Sequence, residues 1–354
     1  MPFNFAGLTS FSLPFVLSSL LAVVALAENI TDADTPCIDV VLTGTMAGPF
    51  FFGGLAGAGT LVSIGTKDNN CSDYRLQFDI GRGTSLRLSE LGLAPNNIDA
   101  LFLTHMHSDH TEDFTTFALG RWMLLGEPYD VVCSEDVDDI SCTDFVEHIA
   151  DAFEESGEIE QRITENAARN SEGPSALANV MTFETSDKAE SVWKSADGTV
   201  EVTAIRTEHI GGSAAFRIDS PAGSVVIGGD AANDLPAEDR PYSTSDNVEA
   251  LAEGADILVH SAIHPVMSLE ESTLPAAMYN KFSTTVDIGA MAQRAGVHTV
   301  ILTHTIPPLG AVNWGAFAVP GGEALKEDDY ESSVKEGGFN GTTKVGTYLQ
   351  STRL

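Results

Sequence analysis

Three histidines and an aspartate stand within six positions of this chain: His105, His107, Asp109 and His110, in the run LFLTHMHSDH at residues 101–110. Imidazole nitrogens and carboxylate oxygens are the donors that divalent zinc accepts, at about 2.0–2.2 Å. Side chains two apart on an extended segment point the same way, so His105 and His107 are set to grip one ion. Asp109 and His110 lie past the bend and turn toward a second. The chain has only 9 histidines in 354 residues, so a cluster this dense is read as a metal site rather than a His-rich surface loop. Two cations a few ångströms apart would acidify a shared water and clamp the oxygens of an ester, which is the chemistry of hydrolysis.

Such a site needs strands that end on ligands. The apolar run 98–104 delivers His105; 200–208 alternates strictly and stops at His209; 224–229 stops at Asp230; 299–303 stops at His304. Four runs of this kind put the ligands on one edge of a pair of packed sheets, where loops converge and a cleft can open. Further strands are expected at 38–45, 61–66 and 74–80 as an antiparallel meander, then at 130–134 and 256–260. Helical spacing predicts helices over 85–93, from about 111 through 125, and over 143–155, 246–253 and 286–295. Residues 156–195 read as irregular surface. Strands and helices in the order ββ…αβα, given twice, predict an α+β fold, a four-layer αββα sandwich. The glycine-rich stretch between Ala47 and Gly59 matches no nucleotide fingerprint and reads as a pocket rim. Asp79, in Phe78-Asp-Ile-Gly-Arg-Gly-Thr84, is placed to accept hydrogen bonds from backbone or from a metal-ligating histidine.

Hydrophobic residues make up 43% of the chain, enough for a large core. Residues 1–27 read as a signal peptide, an apolar run closed by Ala25-Leu26-Ala27; residues 28–354 read as a single metallo-hydrolase domain. No Lys or Arg precedes the apolar run, so a retained anchor is the alternative; no other segment is long and apolar enough to span a bilayer. A secreted or periplasmic location follows from the signal reading, with no membrane contact once it is removed. Cys37, Cys71, Cys133 and Cys142 favour two disulfides over four free thiols; three pairings are open, of which Cys37–Cys71 with Cys133–Cys142 is preferred because both close local loops. The net charge of −33, from 51 acidic and 18 basic residues, disfavours a nucleic-acid substrate. A small-molecule ester is expected instead, and a homodimer stays open.

Taken together, Gly44-Thr45, the Phe78–Thr84 block, Thr104-His-Met-His-Ser-Asp-His110, Glu208-His209, Gly228-Gly-Asp230 and Leu302-Thr-His304 resemble the metallo-β-lactamase superfamily. Within it they resemble the ribonuclease Z-like branch that includes metal-dependent arylsulfatases. The resemblance covers roughly residues 38–308. It implies two zinc ions per chain, the first on His105, His107 and His209, the second on Asp109, His110 and His304, with Asp230 bridging and room for a bridging hydroxide. Asp109 would also act catalytically by orienting that hydroxide. The flanks His110-Thr-Glu-Asp-Phe114, Arg121-Trp122 and His304-Thr-Ile-Pro-Pro308 look closer to the arylsulfatase type, so aryl sulfate esters are the expected substrates. Phosphodiester or lactone hydrolysis, and metal binding without turnover, are the alternatives. One departure matters: in Lys281-Phe-Ser-Thr284, Phe282 stands where the family places a histidine near the leaving group. Either that acid is lost or another group serves, for which His264 is the candidate. Arg121 is left out of the site, His260 is read as core or support, and His148 and His298 as surface.

Overall fold

The computed structural model describes residues 33–236 and 239–354, so the signal-peptide reading of 1–27 lies outside the described residues. Six strands come first: β1 (Pro36–Gly44), β2 (Gly59–Thr66), β3 (Tyr74–Phe78), β4 (Ala100–Phe102), β5 (Tyr129–Ser134) and β6 (Ala178–Phe183). Six more follow: β7 (Glu190–Lys194), β8 (Glu201–Arg206), β9 (Ala214–Ser220), β10 (Gly223–Ile227), β11 (Ile257–Ile263) and β12 (Thr299–Ile306). A two-stranded hairpin, β13 (Asn313–Trp314) and β14 (Phe317–Ala318), precedes β15 (Thr342–Val345) and β16 (Ser351–Arg353). The first sheet runs β16-β1-β2-β3-β4-β5-β6 and the second β15-β12-β11-β10-β9-β8-β7. Strands joined without an intervening helix pair antiparallel, as β1–β2–β3 and β7–β8–β9–β10 do; those joined through helices pair parallel, as β3–β4–β5 and β10–β11–β12 do.

The helices are α1 (Thr84–Glu90), α2 (Ser108–Thr111), α3 (Phe114–Met123), α4 (Cys142–Glu147), α5 (Asp151–Glu155), α6 (Glu158–Glu165), α7 (Asp246–Leu251), α8 (Ala276–Tyr279), α9 (Thr285–Ala295) and α10 (Glu327–Glu336). The apolar faces of α1 and α3 bury Leu88, Phe114, Phe117 and Trp122 on the outside of the first sheet. Those of α7, α9 and α10 bury Val248, Ile288, Met291 and Tyr330 on the outside of the second. Between the sheets lies an aromatic core: Phe78 stacks on Phe102 at 4.6 Å between centroids, and Phe216 meets Phe102 edge-on at 5.6 Å. The architecture is the α+β, four-layer αββα sandwich. Truncating a ring such as Phe102, which is wholly buried, would cost about 3–5 kcal/mol.

Both expected disulfides are present: Cys37–Cys71 ties the start of β1 to the β2–β3 turn, and Cys133–Cys142 ties β5 to α4. The stretch 156–195 is where sequence and structure part. It holds α6, β6 and β7, the last two being edge strands with half-exposed faces. An edge strand need not alternate apolar and polar side chains, so its period-two signal vanishes. The helix expected over 143–155 is broken into α4 and α5 at His148, whose Nδ1 turns back to donate to the Asp144 carbonyl.

Candidate metal centre

The loops at the carboxyl ends of β4, β8 and β10 supply six of the seven predicted ligands. His105 follows β4 by three residues, His209 follows β8 by three, and Asp230 follows β10 by three. Asp109 and His110 sit inside α2, which starts one residue after His107, earlier than the apolar periodicity of α3 indicates. His304 differs, for it lies within β12 rather than at its end. The β11–β12 register slips at this point, with Ser261 opposite Thr303 and Ala262 opposite Thr305, so His304 is the extra residue of a bulge. Its φ of 47° is left-handed, which re-aims the side chain from the sheet face into the cleft. That conformation is unfavourable for a residue with a Cβ, by about 1–3 kcal/mol.

The structure brings all seven side chains together. His105 Nε2 lies 3.0 Å from His107 Nδ1, and His209 Nε2 lies 3.1 Å from the same His107 nitrogen. His304 Nε2 stands 2.9 Å from Asp109 Oδ2 and 3.3 Å from His110 Nε2. Asp230 reaches between the two groups: its Oδ2 is 3.4 Å from His110 Nε2 and 3.6 Å from His209 Nε2, and its Oδ1 is 3.3 Å from His304 Nδ1. Four ligands arranged tetrahedrally around one zinc would be about 3.3 Å apart. The observed spacing is that of ligand sets converging on cations.

The outer hydrogen bonds decide which nitrogens face inward. His110 Nδ1 donates to Asp79 Oδ2 at 2.8 Å, and the same carboxylate accepts from Thr104 N–H and Thr104 Oγ1–H, both at 2.8 Å. His209 Nδ1 donates to the Lys281 carbonyl at 3.1 Å, and His105 Nδ1 lies 3.1 Å from Thr104 Oγ1. In each case the far nitrogen is left with a lone pair toward the centre, the arrangement that fixes a metal-ligating imidazole. Gly48 N–H donates to Asp109 Oδ2 at 2.7 Å. The turn that carries Asp79 can approach because Gly57 and Gly81 flank the Asp109 carbonyl; a Cβ on Gly81 would stand 1.9 Å from that oxygen.

Electrostatics agree with a cation at this point. Burial holds the His105 pKa well below its ordinary value and brings His209 down to about 4, so both are neutral lone-pair donors near pH 7. Burial opposes a charge on His110 too, but Asp79, Asp230 and Asp109 around it overcome that and raise its pKa well above the usual value. Burial likewise works against ionised Asp230 and Asp109, and the imidazoles of His110 and His304 outweigh it and hold both carboxyls below the carboxylate range. The pocket therefore demands positive charge beside its carboxylates. Asp230 Oδ1 and His304 Nδ1 are buried without a hydrogen-bond partner, a costly state that a cation would relieve. The residues fit a pair of divalent metals.

Sequence comparison bears on the family directly. Residues 72–122, which contain the His105–His110 cluster, match the model of the metallo-β-lactamase superfamily. A ribonuclease Z of Mycobacterium sp. (strain KMS) is 30% identical over 275 residues, covering 77% of this chain and 85% of that one. The chain belongs to the ribonuclease Z-like branch of the metallo-β-lactamase superfamily. A ribonuclease Z of Mycobacterium avium (strain 104) is also 30% identical, over 79% of this chain and 91% of its own length. Human tRNase Z, short form, shares the fold at a TM-score of 0.56 and 15% identity, over 89% of this chain and 98% of that one. The metallo-β-lactamase fold protein YhfI from Bacillus subtilis does so at 0.58 and 17%, over 90% of this chain and the whole of that one. As a member of this superfamily the chain is a metal-dependent hydrolase.

Ribonuclease Z relatives overturn two expectations. The aryl sulfate assignment fails because its evidence lay in short flanking motifs, whereas the resemblance to ribonuclease Z extends over most of both chains. A ligand set for two metals is also blind to whether phosphorus or sulfur is attacked. Exclusion of nucleic acid fails with it: the argument counted charge over the whole molecule, and recognition depends on the field inside the cleft, where metal charge would be concentrated.

Around this candidate centre opens a cleft of about 270 Å³, lined by Gly48, Ser108, Met278, Lys281 and Phe282 beside the predicted ligands. Phe282 stacks on the His304 ring at 5.6 Å and meets His209 edge-on at 5.5 Å, so it braces two ligands and offers no proton. His264 does not line the cleft: its Nδ1 accepts from Val266 N–H as the cap of a short turn, and its ring packs on Tyr330. His260 is fully buried, with Gly228 pressed against its ring, while His148 and His298 are exposed. Arg121 is buried and donates to the carbonyls of Pro95, Ile98 and Glu127, a strut under α3 far from the chemistry. Sequence reasoning did not find Gly48, Thr104 or Lys281. The glycine-rich stretch was the only signal for the first, and Thr104 had only its place beside His105.

Proposed function

We propose that this chain is a dinuclear-zinc phosphodiesterase that cleaves RNA, with His105, His107 and His209 holding one ion, Asp109, His110 and His304 the other, and Asp230 shared. The observation that carries it is the convergence of these seven side chains in a chain 30% identical to a ribonuclease Z over 85% of that enzyme. Zinc suits a set of five imidazoles and two carboxylates. Bound there, the metals would lower the pKa of water and stabilise charge on the attacked phosphate. The protein's own part is placement. Gly48 N–H fixes the Asp109 carboxylate, which is thereby placed to orient a nucleophile. Asp79 and the Lys281 carbonyl fix the tautomers of His110 and His209, and Phe282 with Met278 excludes water from one side of the cleft.

The test is to load the protein with zinc, count two metals per chain, and offer a labelled RNA and bis(4-nitrophenyl) phosphate. Cleavage of both, lost in His110→Ala and after chelation, is the expected result. Two bound metals with no cleavage of either would refute the reading. The compartment is a separate proposal: two disulfides favour an oxidising one. A count of free thiols on protein from its native source, expected to be zero before reduction, tests it.

A further inference from the structure

Lys281 is the cationic side chain lining the cleft among the described residues. Among the described residues its ammonium makes no hydrogen bond or ion pair, in a chain with 51 acidic residues. Nearby arginines are engaged: Arg206 pairs with Asp187, Glu208 and Asp234, and Arg82 with Glu112. Position is fixed from three sides. His209 Nδ1 donates to the Lys281 carbonyl, Arg240 donates to the carbonyl of Asn280 at 2.6 Å, and Ser283 Oγ donates to the carbonyl of Ala231 at 2.8 Å, beside Asp230. The same turn that orients a ligand histidine thus presents a half-buried lysine at the cleft wall.

We propose that Lys281 binds an anionic phosphate oxygen of the substrate and selects charged phosphodiesters over neutral esters, an inference that rests on the phosphodiesterase reading above. Asp109 and Asp230 are committed to the centre, so among the described residues the ammonium has no anionic partner and is available to one arriving from outside. A strongly acidic molecule needs such a local attractor, because its field is screened beyond about a Debye length, roughly 10 Å at 0.1 M salt, but repels a polyanion inside that distance, where docking takes place. Phe282 and Met278 beside the lysine exclude water, and a charge-assisted bond to phosphate is stronger in such surroundings.

Three zinc-loaded proteins decide it: wild type, Lys281→Met and Lys281→Arg. Lys281→Met removes the charge but keeps the carbonyl that orients His209. Expected for Lys281→Met are a KM for bis(4-nitrophenyl) phosphate raised roughly tenfold to hundredfold and inorganic phosphate bound more weakly by a similar factor in calorimetry. Metal content should stay at two per chain, the melting temperature should hold, and kcat for the phosphodiester should change less than KM. Lys281→Arg should restore most of the loss. If wild type cleaves the phosphodiester and Lys281→Met matches it in KM and in phosphate affinity, this inference is overturned and the functional reading stands. If Lys281→Met loses zinc or stability, the side chain is structural and the inference is again overturned. If zinc-loaded wild type neither cleaves the phosphodiester nor binds phosphate, the functional reading itself fails.

Discussion

Replacing Asp79 by asparagine tests the idea that hydrogen bonds behind the ligands prepare the centre. The carboxylate takes Thr104 N–H on one oxygen, and Thr104 Oγ1–H and His110 Nδ1–H on the other, all at 2.8 Å. An amide can keep its oxygen on Thr104 N–H, but its NH₂ then faces two donors. His110 can relieve the conflict only by moving its proton to Nε2, which is the nitrogen needed by a metal. A lost supporting carboxylate of this type typically costs about 10–100-fold in metal affinity, or about 1.4–2.7 kcal/mol. The effect should fall mainly on the ion of Asp109, His110 and His304: His209 keeps the Lys281 carbonyl, and His105 keeps the Thr104 hydroxyl, which itself loses its carboxylate partner. Competition with a chromogenic chelator should therefore show one site near wild-type affinity and one weakened, with turnover falling in parallel. Two sites of unchanged affinity would refute the reasoning, as would equal weakening of both.

Four further outcomes follow from the geometry. Gly81→Ala puts a methyl group 1.9 Å from the Asp109 carbonyl and must displace α2 by more than about 1 Å, so turnover should drop about 100-fold with the far-ultraviolet circular dichroism retained. Chelation at 1,000-fold excess of metal over Kd beforehand removes about 4 kcal/mol of linked stability and should lower Tm by roughly 8–15 °C in a thermal melt. In the metal-free protein His209, depressed to about 4, stays neutral while the unfolded chain protonates; its contribution to stability should be full above about pH 6.5 and fall by a few kcal/mol as pH drops toward 4, read as the difference in urea melts between wild type and His209→Ala at each pH. RNA cleavage should speed up between 50 mM and 0.5 M salt as the field of a −33 chain is screened; a steep fall over that range would contradict it.

Which residues could hold metal was legible in the chain itself, because ligand chemistry belongs to residue type and because a strand ends where its apolar run ends. The runs before His105, His209 and Asp230 show this, as do the strands of the sandwich core. Local order also made the disulfide pairing readable, since each bridge closes a short loop. Edge strands β6 and β7 were not readable, for their half-exposed faces carry no alternation. Nor was the bulge that turns His304 inward, which exists only because β12 must pair with β11 on one side and deliver a ligand on the other. Tertiary structure alone decided that Arg121 supports α3, that His264 caps a turn, and that a lysine next to Phe282 faces the cleft. Residue type says what a side chain can bind; only its neighbours in space decide whether that capacity is already spent inside the fold or left facing the substrate.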